Sequence, residues 1–393
     1  MSVRGNGRSN LAASLGEHEV VVCVGAGGVG KTTISAALAM AIAAEHDKRV
    51  MVVTVDPARR LATALGLHRM TVDPVIVPAD RLRRAGVPPR DQLVAAMIDM
   101  KSTWDRLVER NAPDRRTAAR ILANPFYQGI SGAFTGSHEF IAMETLYELH
   151  HAGEFDCLVV DTPPSRSALD FLEAPTRFSD FVGGRLLSWL ARPSLFGWRT
   201  MNFAAAPFLR MADRLLGADL LEDLASFVAD IQRLYGGVQK RAADVYSLLR
   251  SYRTAFTVIT TLEPAPFAEA EFFSSKLREF SMPMRALVVN RVLPPALLDE
   301  EGAAAASTMI AEPAAAEWLA DALDERVARD APRHIAEAYT VLHRLAQGHA
   351  RQVSRLSRLG RAPAIQLPQA SRDVSDIESL AMLAQHLRGR GEQ

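Results

Sequence analysis

A chain of 393 residues, 48% of them hydrophobic, can bury a sizeable core, and its length fits two or three domains or one large α/β domain with insertions. Lysine and arginine number 45 and aspartate and glutamate 45, so the chain lacks the basic bias of a dedicated nucleic-acid binder, and no nucleic-acid partner is expected. No window reaches eighteen uncharged apolar residues, which argues against a membrane-spanning helix.

Residues 1–18 are polar, have no apolar core of the secretory type, and read as a flexible leader; the chain is expected to be cytoplasmic. EVVVCV (19–24) then predicts a buried strand running into a glycine-rich turn. Lys31 to His46 is alanine-rich and helix-friendly, and RVMVVTV (49–55) predicts a second buried strand. Strand, glycine loop, helix and strand make a βαβ unit, which implies a parallel sheet. Further strands are predicted at CLVVD (157–161), TAFTVIT (254–260), RALVVN (285–290) and AIQL (364–367), with a helix over 267–280. Long helical stretches are expected at about 91–152, 168–250 and 296–356. The tail 373–387 predicts a closing helix with Asp373 or Ser375 near its start. The expected architecture is α/β: a doubly wound, mostly parallel sheet carrying a helical insertion subdomain, in a single domain over 19–393. The two cysteines, Cys23 and Cys157, lie in predicted strands and read as small buried hydrophobes. Without a CxxC pair, neither a cysteine zinc site nor a redox pair is expected.

Gly25-Ala26-Gly27-Gly28-Val29-Gly30-Lys31-Thr32 satisfies the GxxxxGK[ST] pattern of a phosphate-binding loop. Glycines let the backbone turn tightly and aim successive N–H groups at phosphate oxygens. The following helix adds the positive end of its dipole. Lys31 is placed to reach the β- and γ-phosphates of a nucleotide, and the Thr32 hydroxyl to ligate Mg²⁺. Gly25, Gly27, Gly28, Val29, Gly30, Lys31, Thr32 and Thr33 are therefore the candidate nucleotide contacts. Asp56 and Asp161 each end a predicted strand, and carboxylates at strand C-termini share the crevice of the phosphate loop. Asp161 fits a Mg²⁺-holding role. Asp56 fits either the polarisation of an attacking water or the capping of the next helix, where Pro57 would occupy the first turn.

GAGGVGKTT (25–33), DPA (56–58), DTPP (161–164) and the asparagine of LVVNRV (287–292) together resemble the ArsA-type ATPases. That family includes arsenite-pump ATPases and the ATPases that target tail-anchored membrane proteins, and it stands beside the MinD and ParA proteins. The likeness is most specific to a paired set of such ATPases in actinobacteria. It spans most of the α/β framework and is weak in the helical insertions. The resemblance implies ATP and Mg²⁺ as ligands and ATP hydrolysis as the activity, with Lys31 and Asp56 catalytic. Asp56 would belong to a first switch and Asp161 to Pro164 to a second. Asn290 would contact adenine, and a loop at Leu367 and Pro368 would wrap the base. The residues alone equally allow Asn290 to cap a strand-to-loop turn and Pro368 to end a strand.

Three departures from the family pattern stand out. Its signature lysine, which crosses a dimer interface to the partner's nucleotide, falls at Ala26. The cysteine cluster of the arsenite pumps is missing, and one ATPase half is present instead of two. The resemblance therefore implies a homologous ATPase subunit as partner, in a homodimer or with a lysine-bearing paralogue. Arg59 and Arg166 are alternative sources of the cation.

Residues 181–217 crowd tryptophan, phenylalanine, leucine and methionine. They fit a self-packing helical subdomain or a nucleotide-gated apolar groove for a hydrophobic client or membrane protein, which would associate the chain with a membrane through its partner. Two rival readings remain. A MinD- or ParA-type positioning ATPase needs a terminal amphipathic or basic face, and the tail has no basic stripe before Arg388 and Arg390. A regulatory subunit that binds ATP without turnover is opposed by Lys31, Thr32, Asp56 and Asp161 and favoured by Ala26.

Overall fold

Strand β1 (Val20–Gly25) sends Val20, Val22 and Val24 into one apolar layer and Val21 and Cys23 into another, the period-two alternation of a strand buried on both faces. The computed structural model describes residues 10–46, 48–54, 60–67, 74–84, 93–130, 137–162, 240–311, 325–359, 362–370 and 372–389. The further strands are β2 (Val50–Thr54), β3 (Val75–Ile76), β4 (Leu93–Met97), β5 (Cys157–Asp161), β6 (Thr254–Thr260), β7 (Met284–Val292) and β8 (Ala364–Pro368). They form one sheet in the order β3-β4-β2-β5-β1-β6-β7-β8. Among the described residues every pairing is parallel except β3 with β4.

Helices cover both faces, so the sheet is doubly wound. The layer holding Val20 and Val22 packs on Trp104, Leu107, Ile121, Ile141 and Phe273. The opposite layer packs on the helix Lys31–Glu45, in which every residue from Ile34 to Ala43 is buried. Its alanines let it sit close to the sheet while the helix Ile377–Leu387 covers its outer side.

Three expectations need correction. The stretch expected to be helical from about 91 opens with β4, which pairs in parallel with β2; the helices Met100–Asn111, Arg115–Ala123, Pro125–Ile130 and Ser137–Ala152 follow. LVAAM is rich in good helix formers, and burial of Leu93 to Ala96 beside β2 overrides that propensity. The leader is ordered from residue 10: Asn10 caps the helix Leu11–Leu15, whose Leu11, Ala12 and Leu15 are buried in the second layer. Residues 1–9 lie outside the described set. The closing helix is capped by Asp376, which accepts a 2.8 Å bond from the Ser379 N–H in a capping box, and not by Asp373 or Ser375. Within 296–356 the described residues apart from Asp299 are helical, over Pro295–Leu298, Glu300–Ala311 and Glu325–Leu359. Of 168–250 only 240–250 is described, also as helix. No helix among the described residues is long and apolar enough to cross a membrane.

Candidate active site

After β1 the chain moves to β2 on one side of the sheet, and β6 later lies on the other. The carboxyl end of β1 is therefore the topological switch point, where open α/β sheets place their crevice. Gly25 occupies that end. A Cβ there would lie 2.0 Å from the Ile259 carbonyl oxygen, so the backbones of β1 and β6 approach as only glycine permits. Gly27 and Gly28 are exposed, whereas Ala26 and Val29 are buried in the second apolar layer. Gly30 caps the following helix at φ 92°. Lys31, the first helical residue, is buried, and its Nζ donates to the Ala26 carbonyl at 3.1 Å, arching back over its own loop. Thr32 and Thr33 complete the first turn, both half-buried.

Asp161 ends β5 and is 1% exposed. A buried carboxylate needs donors, and hydroxyls from two elements supply them. Thr32 Oγ1 donates to its Oδ2 at 2.7 Å and Thr54 Oγ1 to the same oxygen at 2.9 Å. Ser35 Oγ stands 3.5 Å from Oδ1. Thr54 ends β2 directly opposite Asp161 in the register. Ser35 lies three residues beyond Thr32, on the same face of the helix. Sequence reasoning missed both, although a threonine ending the second strand and the KTTIS spacing were visible signals. Beside them Thr162 Oγ1 donates to the Cys23 carbonyl at 2.8 Å and ties the end of β5 to β1. Burial pushes the thiols of Cys23 and Cys157 up to about 12, so both stay protonated and unreactive at neutral pH.

Asn290, near the end of β7, lies against the phosphate loop: its Nδ2 donates to the Val29 carbonyl at 2.8 Å. Pro368 ends β8 on the neighbouring strand, exposed, and Leu367 beside it is buried. The structure thus gathers the 25–33 loop, Asp161 and Asn290 at one edge of the sheet. Asp56, Arg59, Pro163, Pro164, Arg166 and the apolar stretch 181–217 lie outside the described residues.

Adjacent alcohol and carboxylate oxygens suit Mg²⁺, a hard cation that takes one or two protein oxygens and completes its shell with water and substrate phosphates. Because the Thr32 proton is committed to Asp161, the lone pairs of its oxygen are what it offers a cation.

A family model described as anion-transporting ATPase matches residues 18–305. "ATPase GET3" of Malassezia globosa is 24% identical over 279 residues, covering 70% of this chain and 73% of that protein. "ATPase get3" of Schizosaccharomyces pombe is 25% identical, covering 68% of this chain and 72% of that protein. A "Putative arsenical pump-driving ATPase 1" of Aquifex aeolicus is 25% identical, with coverages of 72% and 65%. The family match begins just before β1 and runs through the loop, β5, β6 and β7, the strands that carry the gathered residues.

Proposed function

The chain belongs to the anion-transporting ATPase family, and from that premise we propose that it is an ATP-driven switch that hydrolyses MgATP at the 25–33 loop and works as a dimer. The observation that carries this reading is the Thr32–Asp161 contact at the switch point, directly after a glycine loop. Lys31 neutralises charge on the transferred phosphate, a task its position at the mouth of the helix and its reach over the loop both suit. Thr32 and Asp161 would hold Mg²⁺, which when bound neutralises phosphate oxygens. Thr54 and Ser35 fix the Asp161 carboxylate so that it needs no reorientation. Asp56 polarises the attacking water, and Asn290 and Pro368 take the base.

Ala26 offers no cation across a dimer interface. The partner is therefore a lysine-bearing paralogue, whose lysine completes this chain's site. Turnover then opens and closes a hydrophobic client- or membrane-binding surface carried by 181–217. A second reading, a regulatory subunit that binds ATP with little turnover, draws on the burial of Ala26: the residue is 5% exposed and lies in the second apolar layer, a poor starting point for any reaching side chain.

Lys31→Ala separates the reading from its rejection. The variant should lose measurable ATP hydrolysis while its thermal unfolding stays within a few degrees of the parent. Undiminished turnover in a folded Lys31→Ala protein would remove the loop from the chemistry.

A further inference from the structure

The Asn290 amide is placed to do more than meet a base. Its Nδ2 donates to the Val29 carbonyl at 2.8 Å, and its Oδ1 accepts from the Arg291 N–H at 3.0 Å. These two bonds fix the amide's orientation, since a flipped amide would set oxygen against the Val29 oxygen and NH₂ against the Arg291 N–H. Arg291 itself adopts φ 58°, a left-handed conformation uncommon for arginine, at the point where β7 slips its register against β8. The strand end is thus bent at the residue that lends its N–H to the amide.

Across the contact, Val29 lies between Gly28 at φ 82° and Gly30 at φ 92°. Its side chain is buried while its carbonyl meets β7. A trans peptide holds C=O and N–H in opposite directions. Fixing the Val29 oxygen towards Asn290 therefore fixes the Gly30 N–H away from it. The fit is close: a Cβ on Gly30 would come within 2.7 Å of Asn290 Nδ2.

We infer that Asn290 is a positioning residue for the phosphate loop, its amide holding the Val29–Gly30 peptide in the orientation that binds phosphate, independently of any base. The inference rests on the nucleotide-site reading above. Two of the amide's four hydrogen-bonding positions are committed to the strut, one N–H and one lone pair. One N–H and one lone pair remain to read a base edge, so one side chain links base and phosphate recognition.

The test uses the full chain, Asn290→Ala, and Asn290→Asp, which keeps the shape and sets an oxygen against the Val29 carbonyl. Two probes are titrated by calorimetry: ATP, and inorganic tripolyphosphate, which has no base. Both variants should bind tripolyphosphate about tenfold more weakly than the parent, the worth of one hydrogen bond. Loss of ATP affinity with unchanged tripolyphosphate binding would overturn the inference and leave a base contact alone. Hydrogen exchange of the nucleotide-free protein gives a readout that needs no ligand. Amides of 26–31 should exchange faster in both variants, and unchanged exchange overturns the inference whatever the probes do. A parent chain that binds neither probe would instead reject the phosphate-loop reading, with exchange still deciding whether the strut exists.

Discussion

At the scale of single residues, the site is organised around one carboxylate. Asp161 is held by side chains from β2 and from the loop helix, and its carboxylate is buried, where an unmet acceptor is costly. Thr54 Oγ1 donates to Asp161 Oδ2 at 2.9 Å, so loss of its hydroxyl should loosen that carboxylate. Thr54→Val keeps the β-branched shape and removes the hydroxyl. Hydrolysis should fall about tenfold and unfolding stability by about 1 kcal/mol, with ATP affinity nearly unchanged. Steady-state kinetics beside ATP titration would check this; a loss of affinity equal to the loss of rate would make Thr54 a binding residue. The loop and Asp161 were legible in the sequence because their pattern is local: a strand, glycines at set spacing, and a carboxylate ending an apolar run. Thr54 and Ser35 were not singled out, because their meaning depends on distant packing: Thr54 on β2 lying beside β5, a pairing 107 residues apart, and Ser35 on the loop helix lying against the end of β5.

At the scale of elements, the two edges of the sheet have different tasks. The carboxyl edge gathers the candidate site, and the amino edge is fastened by charge. Glu19, just before β1, accepts from Arg253 Nε at 2.7 Å and lies 2.9 Å from His150 Nε2. Three segments meet there: the entry to β1, the entry to β6 and the helix Ser137–Ala152. The Arg253 hydrogen bond above all, opposed by desolvation and helped by His150, lowers the Glu19 carboxyl to about 2 from 4.5. A carboxyl depressed in the folded state stabilises the fold fully above its unfolded value and loses that contribution as pH falls towards its folded one. Glu19→Gln should therefore cost about 0.5–1 kcal/mol at pH 7, the carboxylate being partly exposed to water, and progressively less as pH falls from about 4.5 to about 2. Urea midpoints of parent and variant across that range should converge; a gap that stays constant would mean that Glu19 acts through packing. Six strands were readable as apolar runs rich in valine and isoleucine. β4 was not, because LVAAM carries helix-forming residues and is a strand through its neighbours. The helix Leu11–Leu15 was hidden for a related reason: a five-residue helix has little periodicity of its own, and only burial against the loop helix reveals it.

At the scale of the whole molecule, the proposed pairing with a second ATPase subunit turns on Ala26. The chain carries its own Lys31, Thr32 and Asp161, and has alanine where the resemblance places a lysine that would reach a partner. Restoring it by Ala26→Lys is a poor probe, because Ala26 is buried in the second apolar layer and a lysine must leave that position to reach anything. The asymmetry of a pair is a cleaner one. A lysine acting in trans serves the partner's nucleotide, so in a heterodimer with a lysine-bearing paralogue this chain's site is the complete one, and a missing trans cation can slow the other by orders of magnitude. The deciding measurement is single-turnover ATP hydrolysis by the reconstituted pair, with the phosphate-loop lysine replaced in one chain at a time. Lys31→Ala should remove most of the activity and the matching change in the paralogue should remove less; the reverse order would place the working site on the paralogue and leave this chain a regulatory, ATP-binding subunit.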